Sequence, residues 1–354
     1  MQALPLSEVE RLLEGHIDVR RRADSIQPLR YPAAEAPFYD PFTRWVASAP
    51  SGVRLRLRTD TRSLKLGMNQ RVAAFGGDPR PAPWDLFIDG KSFARQSVTG
   101  GAALAADGGL VGDERATLAF ENLPPGDKHI ELWLPQSATV SFTAFEVDDG
   151  AACAPWPDTR KRLLFHGSSI THCMEAGTAA GAWPAVAASL ADAAHINLGW
   201  AGSCLLSGLA ARIVRDQRAD AIVLKLGINV HGEGLLKERT FLDSAHSMLS
   251  IIREKHASTP IVVVSPIWSP PREDEGGMGG PSLKRMRELL EAVVAARIKT
   301  GDRAIRYLSG LELFGPADRA DLPDELHPNA AGYRRMGERF HKLFLSGSNS
   351  LIAA

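Results

Sequence analysis

A serine that follows a short apolar run is the side chain in this sequence best suited to covalent chemistry. The run Leu163–Phe165 is followed by His166, Gly167, Ser168 and Ser169. A buried strand that breaks at a glycine delivers the next side chains to the edge of a sheet. A serine hydroxyl needs a positioned base to become a good nucleophile. We therefore predict that Ser169 is a nucleophile and that its base comes from elsewhere in the chain.

The best candidates for a base and an acid lie far downstream in one segment. Asp324 precedes His327 by three residues, and Pro323 and Pro328 disfavour a continuous helix through both. In such a loop the carboxylate can turn back onto the imidazole. Ser169, His327 and Asp324 then have the residue types and the chain order of a serine acyl-transfer site.

The elements that must position these residues follow an alternating pattern after about residue 155. Short apolar runs predict five buried strands, and segments of helical period lie between them. The predicted strands are Leu163–Phe165, Ala194–Leu198, Ala221–Leu226, Pro260–Ser265 and Ala304–Leu308. This alternation favours a parallel sheet with helices on both faces, which binds ligands at the carboxyl ends of its strands.

Two more residues follow predicted strands and have the chemistry to stabilise an oxyanion. Gly202 comes after the second strand, where the lack of a side chain lets a backbone N–H approach a ligand. Asn229 comes after the third strand, and its amide can donate to a developing negative charge. Each also has a structural interpretation, since Gly202 can simply tighten a turn and Asn229 can cap a helix.

Taken together, these segments resemble the SGNH hydrolases, also called GDSL esterases and lipases, over residues 160–345. The matching motifs are Gly167-Ser168-Ser169-Ile170-Thr171, Asn197-Leu198-Gly199-Trp200-Ala201-Gly202, Gly227-Ile228-Asn229 and Asp324-Glu325-Leu326-His327. The resemblance implies a flavodoxin-like three-layer α/β/α sandwich with a five-stranded parallel sheet. It implies that Ser169 is the nucleophile, that His327 is the general base and that Asp324 orients it. The oxyanion hole would consist of the Ser169 N–H, Gly202 and Asn229.

The sequence departs from the family pattern at two positions. Ser168 and Val230 stand where the family usually has aspartate. Both changes remove a carboxylate from near the site, which leaves the loop scaffolding and the substrate preference open. Ser168 also remains an alternative for the reactive hydroxyl.

The amino-terminal part of the chain has a different pattern. We expect a helix over residues 7–14 and an irregular lead-in to residue 50, followed by an all-β, jelly-roll-like sandwich over residues 51–150. The strictly alternating run Val53–Arg58 predicts a strand whose arginines form a solvated face, in preference to an anion-binding face. The SGNH-like domain is expected over residues 155–354. A sandwich before such a domain resembles some carbohydrate esterases of this superfamily.

The length and the charge balance of the chain restrict the number of domains and the classes of binding partner. The 354 residues suggest two domains, and 41 basic against 41 acidic side chains give no charge excess that would favour nucleic acid or a membrane surface. No signal or membrane-spanning stretch is evident, so a cytoplasmic location is expected. We predict neither a cofactor nor a metal, because His166, His172, Cys173 and His231 follow no zinc spacing. The oligomeric state is open.

The predicted function is a serine esterase. A short-chain acyl group such as acetyl is favoured because no long apolar lid is evident, and the sandwich domain suggests a carbohydrate ester as substrate. A thioesterase or an amidase with the same triad is the alternative among enzymes. A non-catalytic carbohydrate- or partner-binding protein is the alternative among other classes. For Cys173 and Cys204, two small buried side chains are favoured over a reversible disulfide.

Overall fold

The structure is a computed structural model that describes residues 1–74, 78–105 and 108–353. The chain divides into two compact units. One contains Met1–Thr159 and Gly177–Ala180, and the other contains Arg160–Ala176 and Gly181–Ala354.

The first unit is rich in strands. Its strands are β1 (Gln2–Ala3), β2 (Leu13–Glu14), β3 (Asp18–Arg21), β4 (Ile26–Leu29), β5 (Arg54–Thr59), β6 (Leu64–Ala73), β7 (Trp84–Ile88), β8 (Lys91–Gln96), β9 (Thr99–Gly100), β10 (Ala102–Leu104), β11 (Leu110–Val111), β12 (Arg115–Phe120), β13 (Lys128–Trp133), β14 (Ala138–Val147) and β15 (Cys153–Pro155). Its helices are α1 (Leu6–Arg11), α2 (Pro41–Ser48) and a 3-10 helix over Ala33–Phe38.

Two largely antiparallel sheets form this unit, as the sequence predicted. One has the strand order β11-β10-β6-β14-β4-β3, and the other has the order β15-β5-β13-β7-β8. Their inner faces carry the alternating apolar side chains, and Trp84 of one sheet meets Phe142 of the other edge to face at 6.1 Å between ring centroids. A turn at Asp89-Gly90 joins β7 to β8, with positive φ at both residues.

The lead-in that was expected to be irregular up to residue 50 contains regular elements in the structure. Its residues belong to the first unit, where β4 pairs with β14, β3 pairs with β4, and α2 follows. These strands are four residues long, and their hydrogen-bond partners lie more than a hundred residues away or in an adjoining short strand. A local pattern therefore has too few residues to reveal them. The first helix spans Leu6–Arg11 and is shorter than the helix predicted over residues 7–14.

The arginines of β5 are mostly not solvated, which corrects the predicted exposed face. Arg54 and Arg56 are 2% and 3% exposed, and both reach Asp158, with shortest N–O distances of 2.9 and 3.3 Å. The guanidinium of Arg56 also lies 3.7 Å from the ring centroid of Trp156. The segment that follows β14 folds back over this face of the sheet, and its carboxylate and indole compensate the buried charge. Only Arg58, at the end of the run, is exposed as predicted.

The second unit alternates strands and helices. Its elements are β16 (Arg162–Gly167), α3 (Ser169–His172), α4 (Trp183–Leu190), β17 (Ala194–Gly199), α5 (Gly208–Asp216), β18 (Ala221–Lys225), α6 (Ile228–Glu233), α7 (Glu238–Arg253), β19 (Ile261–Val264), α8 (Leu283–Lys299), β20 (Ile305–Leu308), α9 (Gly310–Leu313) and α10 (Ala330–Phe344). Short 3-10 helices lie at Met174–Ala176, Pro270–Arg272, Gly277–Gly279, Pro316–Asp321 and Gly347–Asn349.

Within the described residues this unit has one sheet of five parallel strands, in the order β17-β16-β18-β19-β20, which confirms the predicted flavodoxin-like fold. Helices α4 and α10 pack together, and Phe165 of β16 meets Trp183 and Phe340 from these two helices. Helices α5, α7 and α8 pack in series. In the sheet, β17 lies on one side of β16 and β18 lies on the other, so the strand order reverses direction at β16. The carboxyl ends of these strands therefore form a topological switch point, where open α/β sheets bind ligands.

None of the helices in the described ranges combines the length and apolar character needed to cross a bilayer.

Candidate active site

Ser169 is the first residue of α3, directly after β16 ends at the switch point. Ser168 is the N-cap of this helix, and its Oγ accepts a hydrogen bond from the Ile170 N–H at 3.3 Å. Ser168 is fully buried, whereas Ser169 is half-buried. The geometry therefore gives Ser168 a capping role and presents the hydroxyl of Ser169. The serine at position 168 caps the helix as an aspartate there would.

The side chains of Ser169, His327 and Asp324 form one hydrogen-bonded chain. His327 Nε2 lies 2.8 Å from Ser169 Oγ, and His327 Nδ1 lies 2.7 Å from Asp324 Oδ2. Asp324 Oδ1 also accepts from the backbone N–H of His327 at 2.6 Å. Residues 158 positions apart are thus brought into contact at the carboxyl edge of the sheet.

The charge state of Asp324 follows from these contacts. Burial raises the pKa of its carboxyl, but hydrogen bonds from the backbone and ring of His327 and from the Leu326 N–H outweigh burial, so the pKa lies below its ordinary value. Asp324 is 53% exposed and His327 is 17% exposed. The carboxylate is therefore ionised at neutral pH, and it holds the His327 ring while remaining partly exposed to solvent.

Polar contacts at both ends fix the loop that carries Asp324 and His327. Asn329, the N-cap of α10, donates from its Nδ2 to Asp321 Oδ1 at 3.0 Å, and Arg335 pairs with Asp321 at 2.5 Å. Ser269, in the loop after β19, donates to the carbonyl of Glu325 at 2.6 Å. The loop is thereby anchored to a helix and to a neighbouring strand end.

Gly202 and Asn229 also follow strands at this edge, as predicted. Gly202 has φ of 69°, in the left-handed region that favours glycine. Asn229, the second residue of α6, accepts from the Cys204 N–H through its Oδ1 at 3.1 Å. This bond ties the loop of Gly202 to α6. Among the described residues no hydrogen bond uses Asn229 Nδ2, so the donor end of the amide is open to a ligand.

Two residues to which the sequence analysis gave no role, Asn197 and Trp183, position Ser169. Asn197 on β17 donates to the carbonyl of Thr171 at 2.8 Å and accepts from the Gly199 N–H at 2.8 Å. The indole of Trp183 donates to the carbonyl of Ile170 at 2.9 Å. Both contacts hold the single turn of α3. The sequence does contain a signal for Asn197, because it places an amide within a predicted buried strand. A buried amide needs hydrogen-bond partners, and Asn197 is fully buried in the structure.

The three cysteines are free thiols, and Cys173 and Cys204 are buried. Burial raises the pKa of both thiols, that of Cys204 to about 12. The Sγ of Cys173 contacts the Ile170 carbonyl at 3.2 Å, and that of Cys204 lies 3.6 Å from His166 Nε2. Both are therefore small core side chains under the site, the interpretation that the sequence favoured.

His166 and His231, which the sequence analysis considered as metal ligands, lie against backbone carbonyl oxygens. His166 Nδ1 lies 2.8 Å from the Leu198 carbonyl oxygen, and His231 Nε2 lies 2.9 Å from that of Glu275. The part of the chain that the structure describes contains no group of three or more metal-binding side chains. Trp200 is buried and packs edge to face on His166, whereas Trp268 is half-buried and faces Arg319.

Lys225 is a buried charge that the sequence analysis did not anticipate. It ends β18, pairs in register with Gly167 and is 1% exposed. Its Nζ has no hydrogen-bond partner among the described residues. Burial lowers the pKa of Lys225 to about 8, and the nearby thiols of Cys204 and Cys173 offset part of this effect.

The burial of the Lys225 amine is expected to lower the free energy of unfolding by an amount that depends on pH. Below pH 8 the amine is charged in both states, so the folded state bears the full cost of desolvation. Between pH 8 and the unfolded pKa of about 10.4 the folded protein releases its proton first, so its stability rises with pH. We expect Lys225→Met to raise the free energy of unfolding by about 1–3 kcal/mol at pH 7. The difference in the free energy of unfolding between Lys225→Met and wild type should be smaller at pH 9.5. Urea unfolding at both pH values measures this difference. A difference that does not vary with pH would contradict the conclusion that the buried amine of Lys225 is charged at pH 7.

Comparison with known proteins agrees with this architecture. Residues 165–335 match the model of the GDSL-like Lipase/Acylhydrolase family, and residues 12–143 match that of the SsfX3 N-terminal domain. A comparison with curated proteins gave no match.

Several solved structures are similar over most of the chain. A salicylyl-acyltransferase, SsfX3, from a tetracycline biosynthetic pathway shares 28% identity at a TM-score of 0.81, over 93% of this chain and 92% of that chain. A putative GDSL-like lipase from Bacteroides ovatus ATCC 8483 shares 20% identity at a TM-score of 0.75, over 96% and 95%. A family two carbohydrate esterase from Clostridium thermocellum shares 17% identity at a TM-score of 0.62, over 86% and 94%. The last two similarities establish the fold alone.

The parallel sheet of the second unit agrees with the match of this part of the chain to the GDSL-like Lipase/Acylhydrolase family. Residues 165–335 therefore form a GDSL-like lipase/acylhydrolase domain, and residues 12–143 form an SsfX3-type amino-terminal domain.

Proposed function

We propose that this protein is a serine esterase that works through an acyl-enzyme intermediate on Ser169. The observation that carries the proposal is the continuous hydrogen-bonded chain from Ser169 Oγ through the His327 ring to Asp324, with distances of 2.8 and 2.7 Å. A base within this distance of a hydroxyl can take its proton during attack.

In the first step Ser169 Oγ attacks the ester carbonyl carbon while His327 Nε2 takes the hydroxyl proton. Asp324 accepts from Nδ1–H and stabilises the imidazolium that forms. The negative charge on the former carbonyl oxygen is met by the backbone N–H groups of Ser169 and Gly202 and by Asn229 Nδ2. His327 then protonates the departing alcohol.

In the second step water replaces the alcohol. His327 removes a proton from the water, which attacks the acyl carbon, and the tetrahedral intermediate collapses to release the acid and restore the Ser169 hydroxyl. A thioester or an amide presents the same carbonyl to the same groups, so thioesterase and amidase activities are the closest alternatives.

The substrate side of the proposal is a short acyl ester, acetyl in particular, on a carbohydrate. The absence of a long apolar lid in the sequence favours a small acyl group. Similarity in fold to a family two carbohydrate esterase supports a sugar as the alcohol component.

Acyl transfer to an acceptor other than water is the second candidate, and the similarity to a salicylyl-acyltransferase at 28% identity across both domains favours it. The acyl-enzyme is common to both reactions, which differ only in the nucleophile that enters second.

The product of the second step separates these two functions. Purified protein is given the acetyl and octanoyl esters of p-nitrophenol, with and without a sugar acceptor, and free acid and acylated acceptor are quantified. An esterase for short chains releases p-nitrophenol faster from the acetyl ester and yields free acid even with acceptor present. Diversion of most acyl groups to the acceptor would establish a transferase, and no turnover of either ester would reject the proposal.

The role of Asn229 is tested by two substitutions. Asn229→Ala removes one oxyanion donor, which is worth about 3 kcal/mol of barrier, so kcat should fall on the order of a hundredfold. Asn229→Asp keeps the acceptor for the Cys204 N–H but loses the donor, so its kcat should fall at least as far. Ester hydrolysis under saturating substrate measures both. Normal turnover by Asn229→Asp would show that Asn229 only holds the loop.

A further inference from the structure

The first unit contains a polar pocket on the outer face of one sheet. Along β6 the side chains alternate, so that Met68 and Gln70 are buried on the core side while Asn69 and Arg71 are on the other side. Thr139 and Ser141 of β14 pair in register with Arg71 and Asn69. Two cross-strand pairs of polar side chains therefore form the floor of the pocket.

The segment predicted to be an irregular lead-in forms the walls. One face of α2 carries Pro41, Arg44, Trp45 and Ser48 at helical spacing, and all four line the pocket. The β3–β4 hairpin and its flanking residues contribute Arg20, Arg22, Gln27 and Tyr31. The pocket is partly open to solvent and measures about 250 Å³. Several of its polar lining residues are buried, namely Gln27, Tyr31, Ser48, Thr139 and Ser141.

The charge of the pocket is strongly positive. Four arginines and a single carboxylate, Glu114, line it, and Glu114 is paired with Arg71 at 2.6 Å. The Nη atoms of Arg20 meet the neutral oxygens of Gln27 and Tyr31, at 3.1 and 2.8 Å. Among the described residues, Arg20, Arg22 and Arg44 have no carboxylate partner. Because the whole chain has no net charge, this excess belongs to the pocket and does not reflect a basic composition.

The floor has hydrogen-bonding capacity that the protein does not use. In the described part of the chain the side chains of Asn69, Thr139 and Ser141 make no hydrogen bond with other residues. Hydroxyl and amide groups of this kind donate to and accept from the hydroxyls of a ligand. The half-buried indole of Trp45 adds an apolar surface to one wall.

We propose that this pocket binds an acidic saccharide and accommodates one uronate ring. The carboxylate lies among Arg20, Arg22 and Arg44, whose guanidinium groups match its geometry. The ring hydroxyls meet the side chains of the sheet floor, and Trp45 covers an apolar edge of the ring. The cavity is slightly smaller than the roughly 300 Å³ at which sites for drug-sized ligands begin, so a single ring is the suitable size. A free uronic acid and the terminal residue of an acidic polysaccharide would both present such a ring to the pocket.

Calorimetric titration of the protein tests this assignment. The measurement needs no turnover, so its result is independent of the esterase proposal. The probes are glucuronate, oligoglucuronate, glucose and inorganic phosphate. We expect glucuronate to bind at least tenfold more tightly than glucose, which lacks the charge, and than phosphate, which lacks the ring. Tighter binding of the oligomer than of the monomer would identify a polysaccharide as the source.

Matched arginine variants locate the binding. Arg44→Gln removes an exposed guanidinium of the pocket and should weaken glucuronate binding about tenfold or more. Arg58→Gln removes an exposed guanidinium of the other sheet and should leave binding unchanged. Thr139→Val should weaken the binding of glucuronate but not that of phosphate. The inference is overturned if glucuronate gives no saturable binding at millimolar concentrations. It is also overturned if phosphate or glucose binds equally well, or if both arginine variants behave alike.

Discussion

Replacing Ser169 by alanine is expected to reduce kcat for ester hydrolysis by roughly four orders of magnitude or more. The substitution removes the only atom that forms the acyl-enzyme bond, and the general base and oxyanion donors alone supply little of the rate. His327 keeps its bond to Asp324 and is partly exposed, so water can replace the lost partner. The free energy of unfolding should therefore change by less than about 1 kcal/mol. Single-turnover hydrolysis of an acetyl ester and urea unfolding measure the two quantities.

The matched control is Ser168→Ala, because the two serines are neighbours with different surroundings. Ser168 caps α3, so its loss should lower the stability by about 1 kcal/mol and leave most of the activity. The opposite result, an active Ser169→Ala enzyme and an inactive Ser168→Ala enzyme, would assign the reactive hydroxyl to Ser168.

Gly199→Ala is expected to have the second largest effect, although Gly199 has no reactive group. A Cβ built on Gly199 would lie 2.2 Å from the His172 nitrogen and 2.5 Å from the Thr171 carbonyl carbon. Both atoms belong to the backbone of α3, which must therefore move. We expect a loss of stability of about 1–3 kcal/mol and a fall in kcat of about a hundredfold or more, because the displaced turn carries Ser169 away from His327.

Gly208→Ala provides the control for this substitution. Gly208 is the first residue of α5, and a Cβ there would meet only Ile251 Cδ1 at 3.8 Å, an ordinary contact. This variant should match wild type in kcat and in thermal midpoint. Wild-type kcat in Gly199→Ala would mean that the close approach of β17 to α3 does not set the position of Ser169.

The carboxyl-terminal fold could be predicted because its signals are local. Each strand of the parallel sheet was recognised from a short, largely apolar run. Each candidate residue follows such a run within four positions or lies in the loop of Asp324 and His327. Convergence then follows from topology, since the carboxyl ends of parallel strands share one edge. Ser169 and His327 could therefore be paired across 158 positions without any knowledge of distances.

The features that the sequence did not reveal depend on distant partners. The strands β3 and β4 are short, and they become strands only by joining a sheet whose other members follow much later. Arg56 sits in a strictly alternating run that normally indicates a solvated face, yet Asp158 and Trp156 cover it after a hundred further residues. Lys225 ends an apolar run, and no local rule distinguishes a buried lysine from one that turns outwards.

Covalent labelling of the protein with a fluorophosphonate tests the central claim, that Ser169 is the nucleophile, most directly. The hydroxyl that His327 activates displaces fluoride from phosphorus, and the adduct is located by peptide mapping in a mass spectrometer. The account predicts one adduct per chain, on Ser169, which is absent in Ser169→Ala and much slower to form in His327→Ala. An adduct on Ser168, or an unlabelled protein that still hydrolyses esters, would contradict it.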